Sequence, residues 1–232
     1  MRAVRLIILL VLGGLIYRGG AAALESAPFE LKILEVEGNS GRHVTDDQIV
    51  EAAQLRKGSK LFEISSSRVS QRITESIPWI AEVRVERLLP SRLRIEVLER
   101  RPELLVVTAA GPFLVDRTGL VLQRGSESLV EVRDLPVGDL REGQTVVSPE
   151  FDNAAAIYRA LPERVRKSVS AISAPTIDQT TVRTMAGPSI FYGAAEQLEE
   201  KNFAIESLLA RSQPGSVIDV RVPSRPTVRI GQ

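Results

Sequence analysis

The chain contains no cysteine, which excludes disulfides, thiol nucleophiles and thiolate metal sites. His43 is its one histidine, so a His-rich metal centre, or a triad with a second histidine to spare, has no material. Aromatic residues make up 4% of the sequence, too few to build base-stacking platforms. Net charge is nearly absent as well, since 30 basic and 29 acidic side chains leave +1. No global field points to nucleic acid, and none is expected as a partner. The HExxH, Walker-loop, GxSxG and cysteine-cluster signatures are all missing, so no cofactor is expected. What is present describes an ordinary folded chain: 232 residues, 44% hydrophobic and 25% charged. That length accommodates one large or two small domains beyond a targeting segment.

The amino terminus reads MRAVRLIILLVLGGLIYRGGAAALESA. Arg2 and Arg5 precede an apolar run from Leu6 to Tyr17 that includes Leu6, Ile7, Ile8, Leu9, Leu10, Val11, Leu12, Leu15 and Ile16. The run falls short of the roughly 20 residues that span a bilayer. Counted from Ala3 to Leu24, the stretch has 22 residues with Arg5 and Arg18 inside it. Arg5 sits near one end, where its stem can snorkel to the headgroups. Two readings stand on these residues. One is an anchor kept in the membrane with its basic end in the cytoplasm. The other is a signal peptide cleaved at the small residues Ala21 to Ala23. Both place the chain from about residue 25 onward outside the cytoplasm.

Residues 29–100 alternate element types. FELKILEVEG alternates Leu31, Ile33 and Val36 with charged residues in a strand that ends at Gly38. Thr45 followed by Gln48 is a capping-box arrangement, and Ile49, Ala52, Ala53 and Leu55 follow at helical spacing. KGSKLFEIS is a loop offering Leu61, Phe62 and Ile64 as plugs. Val69, Ile73 and Ile77 recur every fourth residue in a second helix, which Pro78 stops. Ile80, Val83 and Val85 alternate loosely, Leu93, Ile95 and Val97 strictly, and Leu89 to Ser91 turn between them. Two helices must then cover one face of a small sheet, since neither can bury its apolar side alone. The segments ILEVEGNSGRHVTDDQI, KGSKLFEIS and SIPWIAEVRVERLLPSRLRIEVLERRP resemble a POTRA domain. That resemblance implies a docking module without catalysis.

Residues 101–232 predict a β-rich unit with two helices. PELLVVTAAGPFLVDRTGLVLQRG gives short strands with turns at Ala110-Gly111 and Thr118-Gly119. Asp116 lies in an Asp-x-x-Gly turn, where an aspartate serves turn chemistry more often than catalysis. Ser148 caps a helix with Pro149 in its first turn, and Glu150 and Asp152 suit the positive end. Ala155, Ile157, Tyr158 and Leu161 supply its apolar positions, and Pro162 stops it. SVSAIS, TTVRTM and PSIFYG read as successive strands. AAEQLEEKNFAIESLLARS reads as a helix with Leu198, Phe203, Ile205, Leu208 and Leu209 on a broad apolar stripe.

The ordered set FLVDRTGLVL, DLPVG, FYGAAEQLEEKNFAIESLL and GSVIDVRVPSRPTVR resembles the FtsQ/DivIB family of bacterial division proteins. Asp116 with Gly119, Leu135 with Pro136, Gly193 with Lys201, and Asp219 with Arg221 occupy the places that carry the likeness. The resemblance spans about residues 4 to 230. It implies an α+β chain in three parts: a transmembrane signal anchor over 1–24 with a very short cytoplasmic tail, a POTRA domain over 29–100, and a mixed β domain over 101–232. It implies a single-pass protein of the inner membrane, concentrated at the septum with its bulk outside the cytoplasm. It implies a non-enzymatic scaffold that recruits FtsB/FtsL-like partners, with other division proteins reaching its POTRA domain.

Two other function classes compete with this reading. A POTRA-bearing outer-membrane assembly or secretion component needs a barrel, and residues 101–232 contain two helices and no series of ten-residue alternating strands. A secreted hydrolase would use carboxylates such as Asp116 and Glu131. The acidic neighbours Asp46-Asp47 and Glu199-Glu200 lie in predicted helices, where adjacent residues diverge by about 100 degrees, so neither pair forms a dyad.

The carboxy terminus, SVIDVRVPSRPTVRIGQ, alternates apolar Ile218, Val220, Val222, Val228 and Ile230 with polar residues. Pro223 and Pro226 interrupt it, and proline belongs at an edge or a bend. Ile218 and Val220 are expected in the core, with Asp219 and Arg221 pairing locally. The expected partner-binding segment comprises Val222, Ser224, Arg225, Pro226, Thr227, Val228, Arg229 and Ile230.

Overall fold

A computed structural model describes residues 29–125, 127–209 and 211–230. The anchor residues Leu6 to Ile16 and the alternative cleavage site lie outside the described residues. Among the described residues no helix is long and apolar enough to cross a membrane. The chain divides into two compact units, one ending at Arg100 and one beginning at Arg101.

The first unit is built from β1 (Ile33–Glu37), α1 (Asp46–Ala53), α2 (Ser66–Ser76), β2 (Ile80–Leu88) and β3 (Arg92–Glu99). Thr45 Oγ1 accepts from Gln48 N at 3.3 Å while Gln48 Oε1 accepts from Thr45 N at 2.8 Å, closing the capping box that starts α1. Ser65 caps α2. The β2–β3 hairpin turns over residues 89–91, and β1 joins β3 in parallel, giving the order β1-β3-β2. Leu93, Ile95 and Val97 are buried with Ile49, Ala53, Val69 and Ile73. The strict alternation of β3 therefore becomes the inner face of the central strand. Two expected core residues are exposed. Ile33 opens the edge strand β1, and Phe62 is 49% exposed with its ring against Phe29, centroids 5.4 Å apart. Leu61 and Ile64 plug the core from that loop instead. Gly38 is obligatory where β1 ends: its φ is +83°, and a Cβ there would lie 2.2 Å from the Val97 carbonyl oxygen.

The second unit is one mixed sheet with helices packed against it. Its strands are β4 (Pro102–Thr108), β5 (Gly111–Asp116), β6 (Val121–Arg124), β7 (Val130–Arg133), β8 (Val169–Ser173), β9 (Thr181–Thr184), β10 (Ser189–Phe191), β11 (Val217–Asp219) and β12 (Thr227–Arg229). The order is β12-β11-β10-β9-β8-β7-β4-β5-β6. Helices α3 (Pro149–Ala160) and α5 (Leu198–Leu209), with the short α4 (Glu163–Arg166) between them, contribute Phe151, Ile157, Val165 and Ile205 to the core with Leu104, Val106, Ile172 and Ile218. Ser148 caps α3 by accepting from Phe151 N at 3.2 Å.

Helix α5 departs from expectation in two ways. It begins at Leu198, so residues 194–197 are a loop. Phe203, placed on the apolar stripe from the sequence, is 75% exposed, whereas Lys201 is 3% exposed. The inward face runs through 201, 204, 205 and 208, and Phe203, two residues from Lys201, points about 200 degrees away.

Candidate partner-docking edge

A nine-stranded open sheet has two edges, and the chain treats them differently. Beyond β6, residues 143–146 add a further layer of backbone pairing. Val121 N donates to Gln144 O, Gly143 N to Val121 O and Val146 N to Gly119 O, each at 2.8 Å, and Leu120 bridges Thr145. That edge is covered where β6 begins, at Val121. Beyond β12 no strand pairs among the described residues. β12 meets only β11, antiparallel, with Val217 opposite Arg229, Ile218 opposite Val228 and Asp219 opposite Thr227. An uncovered edge presents unpaired N–H and C=O groups to any extended chain.

The expected site residues divide between a turn and this strand. Arg225 N donates to Val222 O at 3.0 Å, so Val222, Ser224 and Arg225 belong to the turn that Pro223 permits. Pro226 precedes the strand, and Thr227, Val228 and Arg229 form it. All three strand residues are exposed, as are Val222, Ser224, Arg225 and Ile230, while Pro226 is half-buried. Ile218 and Val220 are fully buried. Phe203, Val222 and Pro223 line an open groove beside the turn, with Glu199, Glu200 and Arg221 around it.

Behind the edge, two of the four pairs that carry the family likeness converge, Asp219 with Arg221 and Gly193 with Lys201. The Arg221 guanidinium forms two hydrogen bonds with the Asp219 carboxylate, at 3.1 and 2.8 Å, and lies 3.9 Å from the centroid of the Phe191 ring. Arg221 holds the Asp219 carboxyl below its ordinary range, chiefly through the side-chain hydrogen bond, against the opposing effect of burial. Arg229 reaches the same carboxylate from β12 at 3.6 Å. Gly193, at φ +70°, leaves room for the Arg221 stem: a Cβ there would sit 3.0 Å from Arg221 Cγ. Lys201 Nζ donates to Tyr192 O at 3.2 Å and to Ala194 O at 2.7 Å, the carbonyls on either side of Gly193. Burial holds the Lys201 pKa below the ordinary lysine value, and Glu196 pulls the other way.

The carboxylates considered for hydrolysis are engaged elsewhere. Asp116 Oδ1 accepts from Thr118 N at 2.8 Å, Thr118 Oγ1 at 2.6 Å and Leu120 N at 3.0 Å, an Asx turn between β5 and β6. Glu131 pairs with Arg133 on β7. β4 separates their strands, which sets the two residues roughly 10 Å apart at the least. Among the described residues no group of three or more His, Asp or Glu side chains could hold a metal ion.

The model of the FtsQ-type POTRA domain matches residues 29–100. Over 199 residues the chain is 27% identical to the cell division protein FtsQ of Corynebacterium glutamicum, covering 86% of this chain and 87% of that protein. It is 29% identical to the cell division protein FtsQ of Mycolicibacterium smegmatis, over 84% of this chain and 56% of that one. It is 30% identical to that of Mycobacterium tuberculosis, over 80% and 57% respectively. The chain thus spans little more than half the length of these two mycobacterial relatives. With an FtsQ-type POTRA domain at 29–100 and this likeness carried through the second unit, the chain belongs to the FtsQ family of bacterial cell-division proteins.

Proposed function

We propose that this protein is a non-enzymatic scaffold of the division machinery that recruits FtsB/FtsL-type partners by strand addition at β12. It is held in the inner membrane by its amino-terminal segment, with both units outside the cytoplasm and concentrated at the septum. The contrast between the two sheet edges carries the proposal: residues 143–146 pair with residues 119–121, where β6 begins, and nothing described pairs along the outer side of β12. In strand addition, main-chain hydrogen bonds supply affinity and alternate side chains supply choice. Val228 on the strand and Val222 on the flanking turn are the exposed apolar groups a partner would cover.

Val222→Asp and Val228→Asp test this directly. Each should weaken binding of the extracytoplasmic part of the host's FtsB-type protein at least about tenfold, the effect of leaving one charge in a covered apolar contact. Trp79 is the chain's one tryptophan and is buried in the first unit, so its emission should be unchanged. Wild-type binding by both variants would remove this surface from consideration. Depleting the protein in its host should give filaments without septa, and normal division would overturn the scaffold reading.

A further inference from the structure

One end of the first unit is zipped to the chain's arrival point. Leu31 N donates to Ser59 O at 2.8 Å, Gly58 N to Leu31 O at 2.9 Å and Leu61 N to Phe29 O at 2.9 Å. The 89–91 turn lies at the same end, because Ser91 O accepts from Lys32 N and Ile33 N where β1 begins. This end is unlike an ordinary solvated pole. Phe62 stands out against Phe29, and Leu89 is 57% exposed. Arg56 and Lys57 are exposed, with no acidic partner among the described residues. Lys60 is only loosely engaged, 3.8 Å from Glu63. Exposed apolar groups with basic neighbours mark an interaction surface, and that combination suits the headgroup depth of an anionic bilayer.

The direction of the chain selects the partner. Phe29 lies five residues after Leu24, so an extended chain keeps it within about 18 Å of that residue. The headgroup layer occupies roughly 6–7 Å of that distance, and charge is felt for about 8 Å beyond it at physiological salt. We infer that the pole formed by Phe29, Phe62 and Leu89 with Arg56, Lys57 and Lys60 seats on an anionic lipid surface, orienting the first unit against the bilayer. This inference rests on reading the stretch from Ala3 to Leu24 as a retained anchor.

The absence of cysteine makes the test clean. Ser59→Cys places a fluorophore inside the pole, and Arg42→Cys places one in the exposed loop beyond the other end of β1. The full chain is reconstituted in phosphatidylcholine vesicles, with or without about one part in three phosphatidylglycerol, an anionic phospholipid. The vesicles carry a lipid headgroup quencher. With anionic lipid, quenching at position 59 should exceed that at position 42 by about threefold or more. It should fall toward the position 42 level in phosphatidylcholine alone, and also when Arg56, Lys57 and Lys60 are changed to Gln. Equal quenching at the two positions in a chain that floats with its vesicles would overturn the inference and leave the anchor standing. A chain that does not float with phosphatidylcholine vesicles would overturn the anchor reading and the inference with it.

Discussion

Asn153 ties three segments of the second unit together, and removing its amide should destabilise that unit alone. The residue lies on α3 and is 8% exposed. Its Nδ2 donates to Thr180 Oγ1 at 2.9 Å and to Gly193 O at 3.2 Å, and its Oδ1 accepts from Ala195 N at 2.7 Å. Asn153→Ala deletes these and a longer fourth bond, from Nδ2 to Ile177 O at 3.4 Å, and strands a buried carbonyl and a half-buried N–H. An ordinary hydrogen bond contributes about 1 kcal/mol, and each buried group left unpaired costs about 1–3 kcal/mol. The two unpaired groups and the lost bond to Thr180 together put the loss at about 3–7 kcal/mol. At about 4 °C per kcal/mol for a unit of this size, Tm should fall by about 12–28 °C. Far-UV circular dichroism follows both units, and Trp79 emission follows the first. The expected result is a lowered transition in the circular dichroism with the Trp79 transition in place. Asn153→Asp separates donors from volume: it keeps an acceptor for Ala195 N but turns a carboxylate toward the Gly193 carbonyl, so it should be no more stable than the alanine variant. A fall in Tm below about 4 °C for Asn153→Ala, about 1 kcal/mol, would refute this reasoning.

Lys201→Met keeps the buried stem and removes the ammonium. Because burial lowers the folded-state pKa of Lys201 below its unfolded value of 10.5, the native state binds fewer protons. The penalty is full below the folded pKa and fades as pH rises toward the unfolded one. Wild type should accordingly gain on the methionine variant between pH 7 and pH 10 in urea titrations, and a difference that stays flat with pH would count against a desolvated ammonium. Gly38→Ala forces a Cβ to 2.2 Å from the Val97 carbonyl oxygen at φ +83°, at a cost of about 3 kcal/mol from left-handed strain and displaced backbone. Trp79 emission should report an earlier unfolding transition in that variant, and an unchanged midpoint would show that the hairpin yields freely.

Local chemistry was legible in the sequence where the signal and the structure it specifies lie close together. Thr45 and Gln48 sit three residues apart and close one capping box. Asp116, Thr118 and Leu120 close one Asx turn. Leu93, Ile95 and Val97 alternate on a strand flanked on both sides, so their period is their burial pattern. Helix α5 was misread because hydropathy ranks Phe203 inside and Lys201 outside. The order inverts because the carbonyls of Tyr192 and Ala194 face the helix and require a donor, a fact located in the preceding loop. The parallel placement of β7 between β4 and β8, and the cover that residues 143–146 give β6, depend on pairings that no short window contains. The prolines at 223 and 226 point to an edge at β12, but only the covered state of β6 shows how unlike the two edges are.

Four of the residues that carry the family likeness, Gly193, Lys201, Asp219 and Arg221, are not the proposed docking surface; they are what holds it up. β12 pairs over three residues, and so short a ribbon is marginal alone. The exposed Arg229 pair contributes little, about 0–1 kcal/mol. Order must come from the strand behind. There Asp219, whose side chain is 14% exposed, is gripped by Arg221 through two hydrogen bonds, and a bidentate pair fixes geometry as well as charge. Arg221 lies on Phe191 of β10, so the grip spans from β11 to the next strand. Gly193 makes that approach possible, and Lys201 fixes the loop on both sides of Gly193. β11 is thereby a rigid template, and β12 can remain short, proline-flanked and uncovered without losing its register. An edge of this kind is too brief to recruit stray strands readily, yet held firmly enough that a partner strand would not bear the entropy of ordering it.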